Sequence, residues 1–230
     1  MRDLKKEAAL AAVPLVHPGM KLGLGAGATI AHLVTALAAD AALLSTLTLY
    51  TSSAATHQLL EKWGLTVADA GDTDHLHLYF DGCDQLDRQL NALKSGGGIH
   101  TDEKILAVMA DTFVLLADSS KLVEQLDARY PLTIEVVPQA RQKLEKWLLA
   151  HFPGANLQWR KEDAHFRLTQ RNNLLGDLHF QQLPALSALQ AIREQVGVVE
   201  HSLFYQVAKK AIVADTNGIE WLDRKDFVKP

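Results

Sequence analysis

The sequence predicts an α/β protein: a doubly wound, mostly parallel sheet, with a smaller α+β domain inserted before the last strands. Three observations predict it. Over the first half, short apolar β-like runs alternate with helical periodicity. After Pro131 the pattern changes to strand–helix–strand, strand–helix–strand. A late apolar run, Ala211 to Ala214, is then placed to rejoin the first sheet.

Taken in order, the segment MRDLKKEAALAAVPLV reads as an amphipathic helix. Asp3 and Glu7 interrupt its short apolar part, which argues against a leader peptide. Met20 to Leu24 reads as a strand, and Ile30, Leu33, Val34 and Leu37 then follow helical spacing. Leu47 to Tyr50 is a second strand, followed by a helix through Leu59, Leu60 and Trp63 that Gly64 stops. His75 to Phe80 is the third strand, Ile105, Val108 and Met109 mark a helix, and Phe113 to Ala117 is a strand ending in Asp118. In the insert, Thr133 to Val137 is a strand, Arg141 to Phe152 a helix and Asn156 to Arg160 a strand. His165 to Thr169 and Leu175 to Phe180 suggest a hairpin around Arg171, Asn172 and Asn173. A helix through Leu186, Leu189 and Ile192 and a strand from Val198 to Phe204 complete a ferredoxin-like order. The expected division is a Rossmann-like domain over 1–130 and 206–230 and a ferredoxin-like domain over 131–205.

Composition narrows the function. Hydrophobic residues make up 48% and charged residues 22% of the 230, as in a soluble globular protein. A formal net charge of −4 gives no general attraction to nucleic acid or anionic membranes, so any phosphate must be held by a local site. No apolar run approaches the roughly 20 residues that span a bilayer. Cys83 is the single cysteine, which excludes an intrachain disulfide and fits a cytoplasmic setting. The ten histidines show no metal-ligand spacing, so no metal is expected; His75 and His77 read as one face of a strand.

Candidate chemistry gathers at the carboxyl ends of the parallel strands, where open α/β sheets bind ligands. Gly23-Leu24-Gly25-Ala26-Gly27-Ala28-Thr29 joins a strand to a helix. It suits an anion cradle or a tight turn with Thr29 as helix cap. Thr51-Ser52-Ser53 suits a phosphate or sugar, or caps the next helix. Asp81-Gly82-Cys83-Asp84 puts two carboxylates on one turn, fit to exchange protons with a polyol or simply to close the turn. Cys83 reads as a packing residue. Lys94, on the loop with Ser95, Gly96, Gly97 and Gly98, is placed to stabilise an oxyanion. Glu103 falls in or near a helix first turn, Lys121 is a candidate phosphate or oxyanion ligand, and Arg160 and Arg167 read as interface or surface residues.

The ordered set of these segments, with Glu103-Lys104-Ile105, Asp118-Ser119-Ser120-Lys121 and Glu135-Val136-Val137-Pro138-Gln139-Ala140-Arg141, resembles ribose-5-phosphate isomerase type A. The resemblance implies a cofactor-free aldose–ketose isomerase acting on a sugar phosphate through an enediolate, as a homodimer or homotetramer. It implies that Glu103 is the base and that Lys94 stabilises the intermediate. Asp81 would assist ring opening and Asp84 orient the hydroxyls. Ala26, Gly27, Ala28, Thr29, Gly82, Cys83, Ser95, Gly96, Gly97 and Lys121 would line the substrate. Several positions depart from the family pattern. Ala26 and Ala28 replace a threonine and a serine, Gln85 a glutamate and Ser95 a glycine, and the family's Thr-Asp-Asn-Gly-Asn turn is missing near 167–177. A sugar-phosphate sensor is the alternative, although it has no need of a base. A nicotinamide-dependent dehydrogenase lacks the acidic residue that would end the second strand.

Overall fold

The computed structural model of the chain describes residues 2–224. Helix α1 (Leu4–Ala12) starts where the Asp3 carboxylate accepts the Lys6 N–H, and it buries Ala8, Ala9 and Ala12. Strand β1 (Lys21–Leu24) leads into α2 (Ala28–Ala38). After the single turn α3 (Ala41–Leu44), β2 (Thr48–Tyr50) leads into α4 (Ala54–Lys62). That helix stops at Gly64, whose φ of 72° is the left-handed conformation glycine favours. Strand β3 (Leu76–Asp81) is followed by the short β4 (Gln85–Asp87) and β5 (Ala92–Leu93), then α5 (His100–Met109), β6 (Ala110–Asp118) and β7 (Leu122–Val123).

The insert contains β8 (Leu132–Val136), α6 (Arg141–His151), β9 (Asn156–Trp159), β10 (Lys161–Glu162), β11 (His165–Phe166), β12 (Leu174–His179), the short α7 (Leu186–Leu189) and β13 (Val198–His201). The chain closes with β14 (Leu203–Phe204), β15 (Lys210–Asp215) and β16 (Gly218–Asp223).

The main sheet has the order β16-β15-β6-β3-β1-β2, parallel throughout except for β16. Residues alternate between its faces. Leu78, Phe80, Val114 and Leu116 pack under α1, α2 and α4, whereas Tyr79, Phe113, Leu115 and Val213 pack under α5. The chain runs from β1 out to β2 and returns across β1 to β3, so the winding reverses between β1 and β3. Their carboxyl ends therefore open a crevice between them.

The insert forms an antiparallel sheet in the order β13-β8-β12-β9, the ferredoxin-like arrangement. On β8, Leu132, Ile134 and Val136 pack with Leu144 and Leu148 of α6. Thr133 and Glu135 point the other way, and Glu135 accepts the Thr101 hydroxyl of α5. The polar face of the small sheet thus braces the helix that carries Glu103.

Four details differ from the sequence expectation. The expected hairpin of His165–Thr169 with Leu175–Phe180 does not form. β11 pairs with β10, β12 pairs with β8 and β9, and only a Leu168–Leu174 bridge closes the turn at 169–173. The expected strand from Val198 to Phe204 is divided at Ser202. Its second half, β14, joins a small sheet in the order β14-β5-β4-β7 that the sequence did not announce. The expected helix through Leu186, Leu189 and Ile192 is one α-turn followed by a 3-10 turn. β16, an added edge strand, was also not expected, while Ala211–Ala214 does return to the main sheet beside β6. The end of the expected 206–230 segment, beyond Arg224, lies outside the described residues, as does Met1. Among the described residues no helix is long and apolar enough to cross a membrane.

Candidate active site

The loops after β1 and β3 meet in the crevice, and one contact explains their spacing. A Cβ on Gly25 would lie 2.0 Å from the Asp81 carboxylate, so only glycine lets the two loops close together. Asp81 ends β3 and is fully buried. Its Oδ1 accepts the N–H of Gly82 (2.7 Å) and of Ala26 (3.1 Å), and its Oδ2 accepts the Tyr79 hydroxyl (2.6 Å).

Lys94 follows β5. Its ammonium donates to the Gly82 carbonyl at 2.7 Å and lies 2.8 Å from Asp81 Oδ2 and 3.3 Å from Glu103 Oε1. Burial pulls its pKa down, but Asp81 and Glu103 more than reverse this, and the lysine stays charged. Glu103 projects from the first turn of α5 and is 5% exposed. Desolvation raises its carboxyl to about 8; Lys94 opposes the rise, and Asp81 adds to it. Two carboxylates share one ammonium, and the nearer one is Asp81. Glu103 therefore carries the surplus charge and titrates near neutrality, as a general base needs.

The surrounding residues hold this geometry. Asp84 is half-buried and accepts the N–H of Ser95 (2.6 Å) and Gly96 (3.0 Å) on one oxygen, Oδ2. Lys121 donates to the Cys83 carbonyl at 2.6 Å. Burial pushes the Cys83 thiol up to about 12, so it is a packing group and not a nucleophile. Gly27, with φ of 92°, occupies the N-cap position of α2, and no side chain caps the first turn. Thr29 lies inside the helix and is not its cap. Ser53 caps α4 by accepting the Thr56 N–H.

These groups surround a cavity of 270 Å³ whose wall includes Ala26, Gly27, Ala28, Thr29, Gly82, Cys83, Asp84, Lys94, Gly96, Gly97, Glu103 and Lys121. Asp81 and Ser95 stand behind that wall, beneath it rather than on it. Lys5 of α1 joins the wall without any warning in the sequence, because only the packing of α1 on α2 brings it there. Tyr79 had a usable signal: two residues before Asp81 on a strand, it must share its face. Arg160 is tied down within the chain. It donates to Asp177 twice at 2.8 Å and to the Gly96 carbonyl at 3.1 Å, and so clamps the lysine loop from the insert. Two larger clefts, of 850 and 720 Å³, include none of Asp84, Lys94 and Glu103, so size does not locate the chemistry. Among the described residues, no group of three or more His, Cys, Asp or Glu side chains could hold a metal ion.

A Rossmann-like sheet with a buried carboxylate of near-neutral pKa, an ammonium beside it and an uncapped helix N-terminus 
defines an enzyme class: proton transfer on a small anionic, oxygen-rich substrate. Comparison with known proteins gives the family. Residues 48–218 match the family model for ribose 5-phosphate isomerase A (phosphoriboisomerase A), and the chain belongs to that family. It is 34% identical over 227 residues to the ribose-5-phosphate isomerase A of Parvibaculum lavamentivorans, covering 96% of this chain and 98% of that one. The solved ribose 5-phosphate isomerase A of Neisseria gonorrhoeae superposes with a TM-score of 0.86 at 29% identity, covering 97% of each chain. A D-ribose-5-phosphate isomerase solved in complex with phospho-erythronic acid gives 0.87 at 28% identity, covering 96% of this chain and 98% of that one.

Proposed function

We propose that the chain interconverts D-ribose 5-phosphate and D-ribulose 5-phosphate, with Glu103 moving the proton between C2 and C1. The observation that carries this reading is the Glu103–Lys94 pair on the cavity wall: a base poised near neutrality, 3.3 Å from a fixed ammonium. In the open-chain aldose, the Glu103 carboxylate takes the C2 proton. The electron pair moves into a C1–C2 double bond, and charge develops on O1, where Lys94 stabilises it. Glu103 then returns the proton to C1 while the hydroxyl proton on O2 passes to O1 and the C2 carbonyl forms, so no other reactant is consumed. Phospho-erythronic acid, bound by a related isomerase, fits this picture. It is a phosphorylated acid whose planar carboxylate resembles an enediolate.

The phosphate is assigned to the first turn of α2. The N–H groups of Ala28, Thr29 and Ile30 lack intrahelical acceptors there, and Lys5 and Lys121 bring positive charge to the same cavity. Asp84, on the wall beside Lys94, meets the sugar hydroxyls. The reaction needs no metal or organic cofactor, since its only tasks are proton movement and oxyanion stabilisation. The single cysteine and the net charge of −4 favour a cytoplasmic protein that binds neither nucleic acid nor membrane. The likeness to the type A family favours a homodimer or homotetramer.

A coupled assay of the purified protein with ribose 5-phosphate tests the reading. Turnover should be present, and Glu103→Gln should lower kcat by about 10²–10⁴-fold while substrate still binds, the usual range for a lost general base. Near-full turnover in a folded Glu103→Gln protein would remove Glu103 from this role.

A further inference from the structure

Asp81 is the one carboxylate of the cluster that the cavity does not reach. An ionised carboxylate offers about four lone-pair positions. In Asp81 all are filled: Ala26 and Gly82 N–H groups on Oδ1, the Tyr79 hydroxyl and the Lys94 ammonium on Oδ2. A sugar hydroxyl could approach only by displacing one of them. Asp84 is the reverse case. Both of its backbone donors fall on Oδ2, and among the described residues Oδ1 accepts no hydrogen bond. Its side chain stands on the cavity wall.

The Tyr79 hydroxyl is held in place with equal care. The ring packs against Phe113 at 5.2 Å between centroids. A Cβ on Gly23 would come within 2.6 Å of it, so the neighbouring strand gives up a side chain to admit the ring. Burial first, and then Asp81, raises the phenol well above its ordinary pKa, so it remains a neutral donor.

We propose that Tyr79 is a positioning residue of the isomerisation. Its hydroxyl fixes Asp81 as the counter-ion of Lys94, and ring opening of the sugar falls to Asp84. The proposal rests on the isomerase reading and reassigns the proton transfers within it. In ring opening, Asp84 Oδ1 accepts the proton of the C1 hydroxyl. The C1–O4 bond breaks as the C1 carbonyl forms, and the same carboxyl returns the proton to O4, so nothing else is consumed. Asp81 exchanges no proton with the sugar. It acts on the enediolate by aiming the Lys94 ammonium.

Ribulose 5-phosphate separates the two steps, because a ketopentose phosphorylated at C5 has no furanose ring to open. Exchange of its C1 hydrogen with D₂O, followed by NMR, reports the enediolate step alone. Turnover of ribose 5-phosphate reports ring opening as well. For Tyr79→Phe, which keeps the ring packing, both rates should fall about tenfold with KM within about twofold, as for one lost hydrogen bond to a charged group. Asp81→Asn should also lower both rates by a common factor. Adding Tyr79→Phe to it should change nothing further, because the hydroxyl acts through that carboxylate. Asp84→Asn should slow ribose 5-phosphate turnover at least tenfold more than exchange. Circular dichroism and Tm confirm that each variant is folded. Three results would overturn the proposal: both Tyr79→Phe rates within twofold of wild type, full additivity of Tyr79→Phe with Asp81→Asn, or exchange spared in Asp81→Asn. A wild type active in neither assay overturns the isomerase reading itself, whereas the other outcomes leave that reading intact.

Discussion

Two buried lysines flank the ring of Phe204, Lys94 at 5.7 Å and Lys104 at 5.0 Å from its centroid, and their surroundings send them in opposite directions. Lys94 faces two carboxylates and one carbonyl, and its charge is held firmly. Lys104 faces the Glu200 carboxylate at 3.0 Å and the carbonyls of His201 (2.6 Å) and Leu203 (2.8 Å). There burial outweighs the single carboxylate and lowers its pKa to about 8. The first arrangement leaves a second carboxylate in excess beside a cavity, which is a condition for chemistry. The second ties α5 to the junction of β13 and β14 and leaves no donor over, which is a staple. The lesson is that partners, more than burial, decide what a buried cation does.

The staple also serves the site. Ser202, between the two carbonyls that Lys104 holds, accepts the Lys94 N–H through its own carbonyl at 3.0 Å. The segment 201–203 therefore anchors both Lys94, just after β5, and the helix that carries Glu103. Substitution should separate the two roles. Lys94→Ala is expected to lower kcat by about 10²–10³-fold, as for a lost oxyanion donor, and to lower Tm as well, because Asp81 and Glu103 lose their shared cation. Lys104→Met is expected to destabilise the fold by about 1–3 kcal/mol, because it leaves two buried carbonyls short of a donor, while Glu200 keeps Arg193 at 3.2 Å and the His201 N–H at 2.9 Å. Its folded fraction should keep kcat within about tenfold of wild type. Urea titration and active-site-normalised rates check both. The comparison breaks if Lys104→Met lowers kcat as far as Lys94→Ala while leaving Tm untouched.

The pH dependence sharpens the same contrast. Glu103 is held at about 8 against an ordinary value near 4.5. Between those values the folded state keeps a proton that the unfolded chain has released, so stability falls as pH rises through the window. Glu103→Gln removes this penalty. Its Tm should exceed that of wild type at pH 8.5, and the two should converge near pH 4.5. In the proposed role Glu103 must be ionised to take a proton, so activity should run the other way: kcat/KM should decline as pH falls through about 8. A kcat/KM flat from pH 6 to 9, or a Tm gap that does not vary with pH, would mean that Glu103 does not carry the surplus charge.

The sequence made one region far more legible than the other. Gly25, Asp81, Lys94 and Glu103 sit at a strand end, in short loops or in a first turn, where residue types follow from backbone geometry and chemistry. The parallel strands that aim them are strongly patterned. The insert was read correctly in its strand order but not in its edges. Asn172, in a left-handed turn with φ of 59°, marked a real reversal. The strand before it shrank to the Leu168–Leu174 bridge because β12 already pairs on both sides, with β8 and β9. The division of Val198–Phe204 at Ser202 had no local signal, since it depends on Lys94 and Thr133 reaching the Ser202 backbone and hydroxyl. Lys5 carries no local signal for the same reason, as a partner supplied by tertiary packing alone. Tyr79 does carry a signal in the sequence: an i, i+2 relation to an aspartate at a strand end is a physical pattern.

The smallest expected effect concerns the α2 loop, where Ala26 and Ala28 stand in place of the hydroxyl side chains common in the family. In the phosphate assignment above, the anion is held by first-turn N–H groups, Lys5 and Lys121, so the missing hydroxyls are supplements. Each restored hydroxyl offers one hydrogen bond, worth roughly 0.5–1.5 kcal/mol net and somewhat more to a charged group. Ala28 lines the cavity at the first residue of α2, and Ala26 lines it while its N–H is engaged with Asp81. The double substitution Ala26→Thr with Ala28→Ser should therefore lower KM for ribose 5-phosphate several-fold and leave kcat within about twofold, because the phosphate is distant from the bond changes at C1 and C2. If kcat shifts and KM does not, the loop is acting through the Ala26–Asp81 contact on the Lys94 cluster, and the phosphate must be sought elsewhere on the cavity wall.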